Sequence, residues 1–261
     1  MTEDPLNRRR LLTLALGATA VAACSTPPNG QLPAPTTPPA GAGPASTPPP
    51  ASSAAPSTSP LAGPATELVR SDAGRPQVAL TFHGAGDVGV TRQVLNVVEQ
   101  HGAHITVLAV GTWLAAHPDA ARMISGGGHE LGNHTWSHPA LSSYAPEPMY
   151  AEIQRCRDKL VELTGSPGAF FRQSQGQHAS KEELLEAGKA GYARVLSFDV
   201  DSLDWQDPGP AAIRAAVATV RAGSVVSMHL GHPGTVAALP GIFADLASRG
   251  LTAVTATELL K

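Results

Sequence analysis

Two histidines four residues apart, His134 and His138, lie in the stretch GGGHELGNHTWSHP at residues 126–139. On a turn of helix that spacing puts both imidazoles on one face, close enough to share a divalent ion. The glycine run before them and Pro139 after them make an irregular loop, better suited to holding a site than to packing. His129 in the same stretch reads as structural, with its ring bonded to backbone. A second cluster, DVDSLDW at residues 199–205, brings Asp199, Asp201 and Asp204 within six positions. Such carboxylates repel one another unless a cation, an arginine or a protonated histidine is near. Arg172 in FFRQSQG and His229 in VVSMHLGH are the natural partners. An aspartate bonded to His229 would fix its tautomer and favour its protonated form, which suits a general acid. Trp205 offers an apolar wall for an acyl methyl group, and Met228, next to His229, is placed with it on the substrate side. Asp207 reads as the cap of a helix starting near Pro208.

These residues need elements that gather them. Apolar runs predict strands at residues 77–82, 104–109, 168–171, 193–199, 224–229 and 251–254. Amphipathic stretches predict helices at 91–101, 118–126, 147–164, 180–190, 209–221 and 234–249. Strands alternating with helices argue for an α/β domain with a mainly parallel sheet, open or closed into a barrel. In both, chemistry collects at the C-terminal ends of the strands. His83, the aspartate cluster and His229 all fall at such ends. Cys156 lies inside a helical pattern and reads as a small core residue without chemistry.

The 261 residues divide unevenly. Residues 1–24 run from a basic patch, Arg8 to Arg10, through LLTLALGATAVAA to Cys24, the order of a secretory signal. The run is too short for a membrane-spanning helix, and the paired arginines also fit twin-arginine export. Val21-Ala22-Ala23-Cys24 resembles the bacterial lipobox, so Cys24 is expected to carry lipid and anchor the exported chain to the outer face of the cell membrane. Residues 25–66 hold no ionisable side chain and about half of the 24 prolines, the composition of a disordered tether. Residues 67–261 form one domain of ordinary size, expected to be a monomer. With a net charge of -3 and no Lys/Arg cluster beyond residue 10, no nucleic-acid partner is expected.

From Gln77 to about Leu260 the chain resembles the polysaccharide deacetylases of carbohydrate esterase family four. The motifs VALTF, ITVLAVGTW, GGHELGNHTWSHPAL, TGSPGAFFRQSQG, AGYARVLSFDVDSLDW and GSVVSMH occur in that family's order. The resemblance implies a distorted (β/α) barrel and a metal held by one aspartate and two histidines. It further implies hydrolysis of acetyl groups from an N-acetylated or O-acetylated cell-envelope glycan, peptidoglycan being within reach. His134 and His138 match the metal histidines and Arg172 the arginine that orients the base. Asp204 and Trp205 match the carboxylate that tunes the acid and the wall near the acetyl methyl, and His229 matches the acid.

The chain departs from the family twice. Thr-Phe-Asp-Asp is replaced by Thr81-Phe82-His83-Gly84, which removes the base and the third ligand from their usual positions, and Arg-Pro-Pro-Tyr-Gly is replaced by Arg172-Gln173-Ser174-Gln175-Gly176. A centre of His83, His134 and His138 with Asp87 as base is sound, because zinc accepts three histidines and a water. The reverse, Asp87 at the metal and His83 as base, is sound too and is the preferred expectation, since Gly84-Ala85-Gly86 could bend the Asp87 carboxylate back. The other reading is a non-catalytic envelope protein that keeps the groove to bind glycan or metal.

Overall fold

The computed structural model describes residues 60–261. The expected export signal with Cys24, and residues 25–59 of the expected tether, lie outside the described residues. The domain begins before residue 67: Leu61 N–H donates to Gly188 O at 3.0 Å, Ala65 N–H donates to Leu184 O at 2.8 Å, and Ala65 is buried.

The elements follow in order as β1 (Thr66–Leu68), β2 (Gln77–Gly84), α1 (Val88–Gln100), β3 (Thr106–Ala109), α2 (Gly111–Ala116), α3 (Pro118–Gly126) and β4 (Glu130–Asn133). Then come α4 (Pro146–Thr164), α5 (Lys181–Lys189), β5 (Arg194–Leu196), β6 (Val200–Asp201), α6 (Pro210–Val217), β7 (Val225–His229), α7 (Pro233–Ser248), β8 (Thr252–Val254) and α8 (Ala256–Leu259). All named strand pairs are parallel, in the order β4-β3-β2-β7-β6, with β8 also on β2 and β1 paired with β5. The expected strand at 168–171 reduces to single bridges from Phe171 to Asn133 and to Val195, which join the two groups of strands. The result is a distorted (β/α) barrel.

β2 is central: all five residues of Val78–Phe82 are fully buried, four of them apolar and Thr81 with its hydroxyl donating to Val226 O at 2.6 Å. On one edge it pairs with β7 from Ala79 to His83, and on the other with β8 from Gln77 to Ala79, then with β3 from Thr81 to Gly84. Alternation then sorts the side chains. Val78, Leu80 and Phe82 join Val226 and Met228 in the main core, whereas Thr81, His83, Ser227 and His229 take the opposite face. Burying a side chain such as Phe82 stabilises by roughly 1.5–3 kcal/mol, so a one-residue slip of β2 is strongly disfavoured. Met228 is therefore core, not substrate wall, correcting the sequence expectation.

The segment from Gly168 to Arg172 carries a site residue into the barrel by crossing close over β4. Gly168 has φ +77°, and a Cβ there would stand 2.3 Å from the Leu131 carbonyl oxygen. Gly168→Ala is expected to destabilise the fold by about 2–4 kcal/mol through left-handed strain plus overpacking. The reading is a lower urea midpoint at unchanged slope; an unchanged midpoint would contradict the close crossing.

Candidate active site

The two histidines of the opening motif do not share a helix. His134 follows β4, and the chain then turns through left-handed conformations at Thr135 (φ +66°) and His138 (φ +60°). Polar bonds hold this unusual path: Asn133 Oδ1 accepts from Thr135 N–H at 2.9 Å, and Thr135 Oγ1 accepts from His138 N–H at 3.1 Å. Glu152 of α4 takes both Ser137 N–H (2.8 Å) and Ser137 Oγ–H (2.9 Å). The loop after Arg172 braces the other side, with Gln175 Nε2 donating to His138 O at 3.0 Å and Ser174 Oγ donating to Pro139 O at 2.5 Å. Spacing in a glycine- and proline-flanked loop thus found the pair, and the proximity comes from the fastened loop rather than a shared helix face.

This loop brings His134 and His138 to His83 at the end of β2. One ring nitrogen from each of the three lies within 4.8 Å of the others, the geometry of a shared metal. The donors fit a divalent ion. His134 Nδ1 is 3.1 Å from the carbonyl oxygen of Arg172, which fixes its proton there, and its Nε2 is shut off from solvent with no protein partner. His83 Nδ1 is likewise shut off without a partner. Burial first, and neighbouring histidines second, hold His83 and His134 well below the ordinary imidazole pKa, while His138 is lowered by burial and His229. All three are thus held in the neutral form that a metal requires.

Asp87 is not part of this group. It is exposed, and its Oδ1 accepts from Val90 N–H at 2.9 Å as the N-cap of α1. The glycine turn does not bend it back, because the Gly86 carbonyl is held by Trp113 Nε1–H at 2.8 Å and the chain passes directly into the helix. The preferred expectation of Asp87 at the metal and His83 as base is corrected accordingly: the structure gathers His83 with the histidine pair. Gly84, at the family's third-ligand position, has no room for a side chain, since a Cβ would lie 2.8 Å from Val107 Cγ1 and 2.9 Å from Ala109 Cα.

Arg172 is fully buried, donating from Nε to Leu196 O (2.6 Å) and from Nη2 to Thr81 Oγ1 (2.8 Å) and Ser197 O (3.4 Å). Among the described residues no carboxylate pairs with it, so it orients no acidic base; burial pulls its pKa down to about 9. Asp204 and His229 do meet. Asp204 Oδ1 lies 2.7 Å from His229 Nδ1, and its Oδ2 accepts from His229 N–H (2.8 Å) and Thr235 Oγ1–H (2.6 Å). Burial raises the Asp204 carboxyl, but these bonds outweigh it and hold the group ionised, below its usual range. The His229 ring stands 4.3 Å from that of His83, centroid to centroid.

Two cavities meet at these rings. One of about 580 Å³ is lined by Gln175, Gln177, Phe198, Asp201 and Trp205, the other of about 450 Å³ by Trp113, Thr112 and His117, and both are bounded by His83, His138 and His229. Trp205 is 51% exposed and stands at the first cavity as a wall. Sequence reasoning missed Phe198 and Gln177. The first directly precedes the aspartate cluster at a strand end, a position that could have flagged it. Asp207 does not cap α6, whose first residue is Pro210; its Oδ1 lies 2.8 Å from His232 Nδ1. His129 sits elsewhere, its Nδ1 accepting from Ile105 N–H at 3.4 Å.

Residues 70–195 match the sequence profile of the polysaccharide deacetylases. The chain is 31% identical over 189 residues to a peptidoglycan-N-acetylglucosamine deacetylase of Bacillus cereus, covering 70% of this chain and 88% of the relative. Its fold is similar to a family 4 carbohydrate esterase from Streptomyces lividans solved with acetate (TM-score 0.63, 30% identity, 68% of this chain and 91% of that one). It also shares the fold of a family 4 pseudoenzyme from Bacillus anthracis (TM-score 0.71, 23% identity, 75% and 69% covered). The chain belongs to the polysaccharide deacetylase family.

The neutral histidines make a prediction for the metal-free protein. Unfolded imidazoles bind protons near pH 6.5, whereas buried His83 and His134 do not until lower pH, so acid favours the unfolded chain. Stability should be level above pH 7 and fall below pH 6.5, by up to about 1.4 kcal/mol per pH unit for each ring. His134→Gln should make the fall shallower. Melting temperatures at pH 5–8 without metal test this, and a wild-type profile flat to pH 5 would contradict it.

Proposed function

We propose that the protein is a metal-dependent hydrolase that removes acetyl groups from an N-acetylated, or O-acetylated, cell-envelope polysaccharide, with peptidoglycan the favoured substrate. For the N-acetyl substrate it acts on a carbon–nitrogen bond that is not a peptide bond. The observation that carries this reading is the meeting of the three-histidine group with the Asp204–His229 pair at the junction of two cavities. Zinc is the ion suited to His83, His134 and His138. When bound it would supply Lewis acidity toward an acetyl carbonyl and toward the attacking water.

The remaining steps belong to the protein's own groups. Trp205 and Phe198 wall the cavity where an acetyl methyl and sugar face would rest. His229 keeps Nδ1 on Asp204, which leaves Nε2 for the cavity. With His83 among the ligands and Asp87 on a helix cap, His229 is the group placed to take the water proton and return it to the leaving nitrogen. The C–N bond breaks, and acetate and a free amine result. Asp204 stabilises the charged imidazolium between the two transfers.

The signal-like segment and lipobox at Cys24 support a lipid anchor on the outer face of the bacterial membrane, and the domain is read as a monomer. A coil of about 40 residues reaches roughly 35 Å, which suits a wall substrate. The second reading, a non-catalytic glycan or metal binder, is favoured by one observation, the replacement of the family's acidic pair by His83 and Gly84.

Acetate release from acetylated chitooligosaccharide and peptidoglycan by the zinc-loaded protein decides between them. We expect release from at least one, lowered about 10²- to 10⁴-fold by His229→Ala and by Asp204→Asn with zinc content kept. Stoichiometric zinc with no release on any acetylated glycan would favour the binder, and no bound zinc would sink the hydrolase.

A further inference from the structure

His83 stands where the family carries an aspartate, and a histidine recruited as a ligand must have its tautomer fixed. A metal takes a bare ring nitrogen, so the proton must be held on the other one by a fixed acceptor. For His134 that acceptor is the carbonyl oxygen of Arg172, reached by Nδ1, which leaves Nε2 bare. For His83 the arrangement is inverted: Nε2 lies 3.2 Å from Ser227 Oγ, and Nδ1 is the buried atom without a protein partner.

Only one tautomer of His83 satisfies both nitrogens. If Nδ1 carried the proton, a buried N–H would face no acceptor, at a cost of about 1–3 kcal/mol. If Nε2 carries it, Ser227 Oγ accepts and Nδ1 keeps the bare lone pair that a metal takes. The placement of the hydroxyl follows from strand pairing: Thr81 is in register with Ser227 and His83 with His229, all four side chains share the face away from Phe82 and Met228, and Ser227 is 1% exposed.

We propose that Ser227 is the positioning residue of the metal centre: it accepts the His83 Nε2 proton and makes Nδ1 the ligating atom, so that His83 and His134 bind through opposite ring nitrogens. This rests on the three-histidine centre proposed above. Ser227 borders the larger cavity but is 1% exposed, and it acts on the centre through the His83 ring.

The test uses the full chain with ¹⁵N-labelled histidine, loaded with zinc. Bound zinc per chain is measured first, and long-range proton–nitrogen correlation spectra then separate metal-bound, protonated and bare ring nitrogens. His83 is expected to show a metal-bound Nδ1 and a protonated Nε2, and His134 the reverse, with His83→Gln assigning the signals. Ser227→Ala should weaken zinc binding about 10- to 100-fold in competition with a chelator, and Ser227→Thr, which keeps the hydroxyl, should restore it to within about threefold. Zinc bound with His83 ligating through Nε2, or unligated, would overturn the role of Ser227 while leaving the centre standing. A wild-type chain that takes up no zinc would overturn the centre and this role with it.

Discussion

The buried guanidinium of Arg172 is the constraint on which the site depends. It links β5, through Leu196 O, to the side chain of Thr81 in β2, while its own backbone N–H donates to Asn133 O at the end of β4 at 2.8 Å. One residue therefore fixes the spacing of three strands inside the barrel. Its carbonyl then orients His134, so the same residue that ties the strands also sets a ligand tautomer. A buried charge is costly unless hydrogen-bonded, and here neutral carbonyls and a hydroxyl take Nε and Nη2 in place of a carboxylate, while Nη1 is buried without a protein partner. Deleting the side chain would leave Leu196 O and Thr81 Oγ1 short of a donor in a closed interior.

The absence of a carboxylate beside Arg172 changes the electrostatics of its neighbours. Burial is the first cause that disfavours a further proton on these rings, and the neighbouring imidazoles and the guanidinium add to it. The three rings are therefore held as neutral donors before any ion arrives. Asp204 answers the opposite need. Three hydrogen bonds, two from His229 and one from Thr235, keep it ionised in a closed environment, and its Oδ1 is left to the His229 ring. Ligands and proton carrier stand a ring's width apart, yet their charge states are set by separate surroundings.

Much of this was legible in the sequence, for identifiable reasons. The apolar runs of β2 and β7 located the strand ends, and the resemblance carried by the order of motifs along the chain indicated the barrel. His134 and His138 were found by spacing, although helix geometry was the wrong reason. Two misplacements had local signals that were outweighed. Asp87 directly precedes a helical run, a cap pattern, and Met228 falls on the core side of the alternation Val226, Ser227, Met228, His229. The contact between His83 and Ser227 was not legible, because it depends on the register of strands about 140 residues apart. The Asp207–His232 bond was hidden in the same way, as it joins two loops that meet only in the closed fold.

The two departures from the family pattern are physically one change. With Gly84 in regular pairing against Ala109 there is no space for an acidic ligand, so a third donor has to come from the neighbouring residue, whose side chain points inward. His83 reaches that position, but its longer ring needs a hydroxyl on β7 and leaves Arg172 without an anion. The centre then leans more heavily on His138, which sits in a left-handed conformation that a non-glycine residue holds only under constraint. Gln175 and Ser174, in the second altered motif, supply that constraint through the carbonyls of His138 and Pro139. The proline that the family carries at position 174 could not donate the Ser174 bond, because proline has no polar side chain and no backbone N–H. The loss of the acidic pair and the gain of Ser174 and Gln175 thus meet at one loop, the one that carries the third histidine.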